Sequence, residues 1–193
     1  MPTGRSSGSS TLVGMSATTE CPDPVVLPDG AELCVRPLEA GDRETVAELF
    51  AGLGERSLRM RFHGPRPRLS DADLALIADV HGDRDAVVVI AEDSGRPLAL
   101  GELVRDAADP RSAEVAFAVV DEWQGRGLGR LLADRLARRA RCLSVDRVRA
   151  YVVASNDAAV SVVRRMGRIV RSGIDGGSYE LEVEIDRAGS SST

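Results

Sequence analysis

Val119-Val120-Asp121-Glu122-Trp123-Gln124-Gly125-Arg126-Gly127-Leu128-Gly129 joins an apolar run to a segment with helical spacing. Upstream, residues 113–120 read as a strand. Downstream, residues 127–140 place Leu128, Leu131, Leu132 and Leu136 on one helical face. Arg138, Arg139 and Arg141 fall at the end of that helix, where cations complement its dipole. A glycine-rich turn opening onto a helix presents successive backbone N–H groups and the positive helix end to an anion. Glycine there keeps side chains out of the anion's way and admits positive φ. A diphosphate carrying an adenosine tail is a natural ligand for this construction. Two other phosphate motifs do not fit. The dinucleotide fingerprint needs a third glycine where Arg130 stands, and the Walker pattern needs a Lys followed by Ser or Thr, whereas the chain contains no Lys.

Working outward, the pattern alternates between strand and helix. Residues 31–36 read as a strand stopped by Pro37. Residues 41–50 and 55–62 read as helices. A third helix is predicted over 70–80, with a capping arrangement at Ser70-Asp71-Ala72-Asp73. Strands follow at 86–91, 98–104 and 113–120, then at 147–153, after which residues 156–166 form a helix ended by Gly167. Ile169-Val170 and residues 179–185 complete the sheet, the latter alternating Leu181, Val183 and Ile185 with Glu180, Glu182 and Glu184. The expected fold class is α/β: a mixed, mostly antiparallel central sheet flanked by helices, with a strand–helix–strand unit around the Trp123 loop. Residues 31–186 form the domain. Residues 1–24, rich in Ser, Gly, Thr and Pro, are expected to be a disordered tail, with Met15 as an alternative start, and 187–193 a short tail.

Bulk properties narrow the function. Twenty-five basic and 30 acidic residues give a net charge of -5, against bulk nucleic-acid binding, which needs excess cations. No apolar run approaches the ~20 residues of a membrane helix, and the first 20 residues lack the apolar core of a secretion signal. Cys21, Cys34 and Cys142 are widely spaced and odd in number, so they suggest neither a disulfide framework nor a metal knuckle. A reducing, cytoplasmic setting is the simple reading. His63 and His81 are far apart with no third ligand in view, so no metal is expected. Arg59, Arg61, Arg66 and Arg68 read as a solvated face offset by Asp71 and Asp73, and Trp123 as a packing anchor.

The run 119–129, together with Asn156-Asp157-Ala158-Ala159 after the next strand, resembles the GNAT superfamily of N-acetyltransferases. The likeness spans about residues 31–185 and implies the GNAT acyl-CoA N-acyltransferase fold with acetyl-CoA as co-substrate. It implies that backbone groups of Phe117, Ala118 and Val119 bond the pantetheine arm. The amides of Gln124, Gly125, Arg126, Gly127, Leu128, Gly129 and Arg130 would hold the pyrophosphate, and Asn156 would touch the pantetheine. Two further stretches, Ser57-Leu58-Arg59-Met60-Arg61-Phe62-His63 and Ala113-Glu114-Val115-Ala116-Phe117, resemble bacterial Pat-type protein lysine acetyltransferases. That likeness makes Glu114 the match to a catalytic glutamate and a protein lysine the implied acceptor.

The chemistry is consistent with this reading. A free lysine has a pKa of ~10.4 and must lose a proton before it attacks a thioester, and a carboxylate near the amine supplies the base. Glu114, among apolar neighbours, is expected to be partly buried, which would raise its pKa. The sequence departs from many GNAT enzymes at Val163, where a tyrosine would protonate the departing thiolate, and at Arg168, where Phe is usual. A thiol pKa of ~8.5 makes unassisted departure tolerable. Two alternatives stay open: a small-molecule amine as acceptor (a polyamine, amino acid or aminoglycoside), and a non-catalytic acyl-CoA-binding regulatory module. The oligomeric state is left open.

Overall fold

The structure, a computed structural model, describes residues 23–66 and 68–185. Among these residues eight strands form one sheet: β1 (Pro24–Val26), β2 (Glu32–Pro37), β3 (Arg84–Ala91), β4 (Pro97–Arg105), β5 (Ser112–Val119), β6 (Arg147–Val153), β7 (Gly167–Asp175) and β8 (Ser178–Ile185). Their spatial order is β1-β2-β3-β4-β5-β6-β8-β7. Every neighbouring pair is antiparallel except β5–β6. That parallel pair requires a crossover, which α4 (Leu128–Cys142) provides. The other helices are α1 (Arg43–Ala51), α2 (Glu55–Phe62), α3 (Asp71–Ala78) and α5 (Asp157–Arg164).

Several elements follow from their patterns. The capping box of α3 forms: Ser70 Oγ accepts from the Asp73 N–H while the Asp73 carboxylate accepts from the Ser70 N–H. The amphipathic α4 buries Leu128, Leu132 and Leu136 completely against the sheet. At Gly101 in β4 a Cβ would lie 3.1 Å from Leu136 Cδ1, so the missing side chain sets how closely helix and sheet approach. Glu102, the next residue, faces the opposite side of the sheet, where it accepts from Arg61 of α2. The sheet is thus covered by α4 on one face and α2 on the other. One apolar cluster joins α1, β2–β4 and the start of α4; a second joins β5, β6, β8, α5 and the rest of α4.

The structure revises several expectations. Pro24, assigned to a disordered tail, opens the edge strand β1, whose register with β2 pairs Pro24 with Cys34. Residues 1–22 of that tail, and the tail at 187–193, lie outside the described residues. The last hairpin is longer than the pair Ile169-Val170 suggested. β7 runs from Gly167 to Asp175 along the whole of β8, and its exposed alternation left too few apolar residues to mark it. Gly167 is no left-handed helix stop: a Cβ there would fall 2.0 Å from the Glu184 carbonyl oxygen, so strand packing requires the glycine. Cys34 is disulfide-bonded, against the expectation that the cysteines form no disulfide framework, whereas Cys142 is free.

Candidate active site

The site is built on the one parallel pair. β5 and β6 are hydrogen-bonded only at Ser112↔Arg147, Ala113↔Val148 and Glu114↔Arg149. β5 continues to Val119 and β6 to Val153 with no ladder between them. The strands therefore splay. Residues 115–119 keep β4 on one side and have no strand on the other, where only the Val119 carbonyl is already engaged, by Gln124, among the described contacts. The resulting cleft, about 990 Å³, is lined by both strands, by the loop after β5, by the first turns of α4 and α5, and by α2.

At the open end of the splay lies the glycine-rich turn. Gly125 and Gly127 have φ of 76° and 99°, in the left-handed region that favours glycine. A Cβ on either would meet nothing within 4 Å, so the turn leaves room for a ligand against its amides. Gly127 is the N-cap of α4 and no side chain caps the helix, so the free N–H groups of its first turn face this space. Gln124 fixes the loop from beneath. Its Nε2 lies 3.1 Å from Ser57 Oγ, 3.1 Å from the Val119 carbonyl and 3.2 Å from Asp121 Oδ1. Asp121 in turn accepts from the Gly54 N–H at 3.2 Å, tying the start of α2 to the same loop. Gly129 serves packing: a Cβ there would stand 2.7 Å from Val162 Cγ2 of α5.

The structure gathers most of the sequence-derived candidates in one place. Glu114, Phe117, Ala118, Val119, Gln124, Gly125, Gly127, Leu128, Gly129 and Asn156 all line the cleft. The side chains of Arg126 and Arg130 do not. Arg126 stacks over Trp123, 3.7 Å from the ring centroid, and pairs with Asp29 at 2.7 Å. Asn156 caps α5, with its Oδ1 accepting from the Ala159 N–H at 3.1 Å, which leaves its side-chain NH2 as the donor available to a ligand. Glu114 is exposed rather than partly buried, because the splay begins at its own register position and opens its side to solvent. Val163, where the resemblance leads one to look for a tyrosine, is 1% exposed and packs in the second core cluster.

On the α2 face of the sheet the cleft holds further groups. Tyr151 of β6 pairs in register with Glu180 of β8, and its hydroxyl lies 3.5 Å from Glu180 Oε1. Partial desolvation, then the negative charges of Glu180 and Glu114, push the Tyr151 hydroxyl above its ordinary pKa, with Arg149 opposing. His63 ends α2 in a left-handed conformation, φ 56°, with Nδ1 3.1 Å from Ser178 Oγ. Beneath, Glu102 is 3% exposed and receives both Arg61 and Arg84. The arginines read as a solvated face are largely paired: Arg59 with Glu55 and Arg66 with Asp73. Glu180 was legible only as the outward half of an alternation, a signal shared by every solvent-facing residue.

A half-open sheet whose parallel strands part next to a glycine-capped helix suits an extended ligand with an anionic end. The model of the acetyltransferase (GNAT) family matches residues 55–167, and the chain belongs to that family. It is 31% identical to acetyltransferase Pat of Mycolicibacterium smegmatis over 85% of this chain and 49% of that protein. It is 29% identical to mycothiol acetyltransferase of Beutenbergia cavernae over 72% of this chain and 49% of that protein. Among solved structures, the GNAT domain of S. lividans PAT superposes with a TM-score of 0.74 at 29% identity, covering 84% of this chain and 96% of that one. The chain spans about half the length of the curated relatives it matches. Among the described residues no helix is long and apolar enough to cross a membrane.

Proposed function

We propose that this chain transfers an acetyl group from acetyl-CoA to a primary amine, with Glu114 as general base and a protein lysine as acceptor. The observation that carries the proposal is the end of β5–β6 pairing at Glu114↔Arg149. From that vertex to Val119 the free edge of β5 runs five residues, ~17 Å. An extended pantetheine arm, with its two amides, suits such an edge as an added strand. With the diphosphate on the amides of residues 124–130, the acyl end points toward the vertex, and Glu114 stands there.

Each residue then has a stated task. The turn and the α4 N-terminus bind the diphosphate. Residues 117–119 and Asn156 orient the arm. Glu114 accepts a proton from the incoming ammonium. The amine nitrogen then bonds to the acetyl carbon as the carbon–sulfur bond breaks; the nitrogen loses a second proton and the thiolate gains one. The sum is an amide, free CoA and one proton released. With Val163 buried in place of a hydroxyl, water protonates the thiolate. A cytoplasmic setting fits such chemistry.

The similarity to Pat and the open, exposed position of Glu114 support a protein acceptor. The similarity to mycothiol acetyltransferase supports a small-molecule amine as the second reading. Release of free CoA, followed with a lysine peptide and with small amines in parallel, tests both. No turnover with any amine by a chain that binds CoA sinks the transfer reading and favours a sensing module.

A further inference from the structure

Among the described residues, Glu114 and Glu180 form no ion pair, whereas arginines neutralise the acids around them. Arg149, which shares the row of Glu114, is paired with Asp106 at 2.5 Å, and Glu182 lies 3.7 Å from Arg147. Among the described residues, Glu180 meets the Tyr151 hydroxyl. Cross-strand register puts Glu114, Arg149 and Glu182 in one row and Tyr151 and Glu180 in the next, on the same face, roughly 7 Å further along the strands. Tyr151 stands two residues past the last paired position of β6, beside the gap, and feels the charge of both carboxylates. Glu114 and Glu180 lie on one face with Tyr151 between them while Arg149 is turned to Asp106, an arrangement that suits a cationic group entering the cleft.

Building on the transfer reading, we propose that Glu180, beside the Tyr151 hydroxyl, is a specificity-determining residue that receives the acceptor as its ammonium ion and presents it to Glu114. The charge-assisted hydrogen bond selects basic alkylamines over amines that are neutral at the working pH. The division of labour is between recognition at Glu180 and proton removal at Glu114. The partial exposure of Glu180 makes its substitution tolerable to the fold.

Initial rates of the full chain are measured against a lysine peptide and against an arylamine uncharged at the assay pH. Glu180→Gln is expected to raise the KM for the lysine peptide about tenfold with kcat within about threefold. Its arylamine kinetics and its CoA affinity by calorimetry stay at the unsubstituted values. Glu180→Asp recovers part of the loss. Tyr151→Phe raises the lysine-peptide KM less, since the carboxylate remains. An unchanged lysine-peptide KM in Glu180→Gln, or an equal rise for the arylamine, overturns the assignment while leaving acetyl transfer in place. Absence of turnover by the unsubstituted chain with every amine overturns both.

Discussion

Gly129 of α4 faces Val162 of α5 so closely that a Cβ at position 129 would lie 2.7 Å from Val162 Cγ2. The contact holds the helix that begins at the glycine-rich turn against the helix that Asn156 caps, so one missing side chain joins both parts of the candidate donor site. Val is stiff at χ1 and cannot swing aside. Gly129→Ala is expected to destabilise the fold by ~1–3 kcal/mol. Adding Val162→Ala should recover part of that loss, a coupling that urea unfolding of both single variants and the double variant will measure.

Gly127 has room for a side chain but not the backbone for one, with φ at 99°. Gly127→Ala should lose on the order of 1–2 kcal/mol of stability from the left-handed conformation. If its amide also faces the diphosphate, calorimetry will find CoA binding weakened by about tenfold or more, since ~1.4 kcal/mol of lost interaction is tenfold. Unaltered affinity would remove the turn from the donor site.

Glu114→Gln keeps the shape of the side chain and removes the base. With an amine acceptor, kcat should fall by ~10²–10⁴, while CoA affinity is unaffected. Activity equal to the unsubstituted chain would take Glu114 out of the mechanism.

Glu102 joins Arg61 of α2 to Arg84 of β3 under the cleft and is 3% exposed. Glu102→Ala strands two guanidinium groups and should cost ~3–5 kcal/mol of unfolding free energy. Because α2 also carries Ser57, which receives Gln124, the same variant should weaken CoA binding at temperatures where it is still folded.

The Asp73 carboxyl is lowered from 3.8 to about 2, chiefly by the Ser70 hydroxyl and N–H and then by Arg66. A carboxyl depressed on folding contributes stability that is present above its unfolded pKa and is lost as pH falls through the folded one. The contribution of the α3 capping box should therefore fade between about pH 4 and pH 2. Asp73→Asn should show a flatter stability profile across that window in urea titrations; an identical slope would exclude the linkage.

Much of this was legible because it is local. The capping box at Ser70 and Asp73, the amphipathic face of α4, the apolar run of β3 and the glycine turn each depend on residues within a few positions of one another, and each appears in the structure near its expected place. β1 and most of β7 were not legible. Both are edge strands, whose outer faces need no apolar residues to mark them.

The sequence by itself determined the alternation of strands and helices and the turn at residues 124–129, since propensity, capping and glycine chemistry act over short distances. Only the tertiary structure decided that β5 and β6 part at Glu114 and Arg149, that Gly129 and Gly167 are demanded by packing, and that Tyr151 meets Glu180 across 29 residues of chain. Strand order and register are set by burial and by the hydrogen bonding of the whole sheet. No stretch of chain encodes alone which side chains will share a cleft.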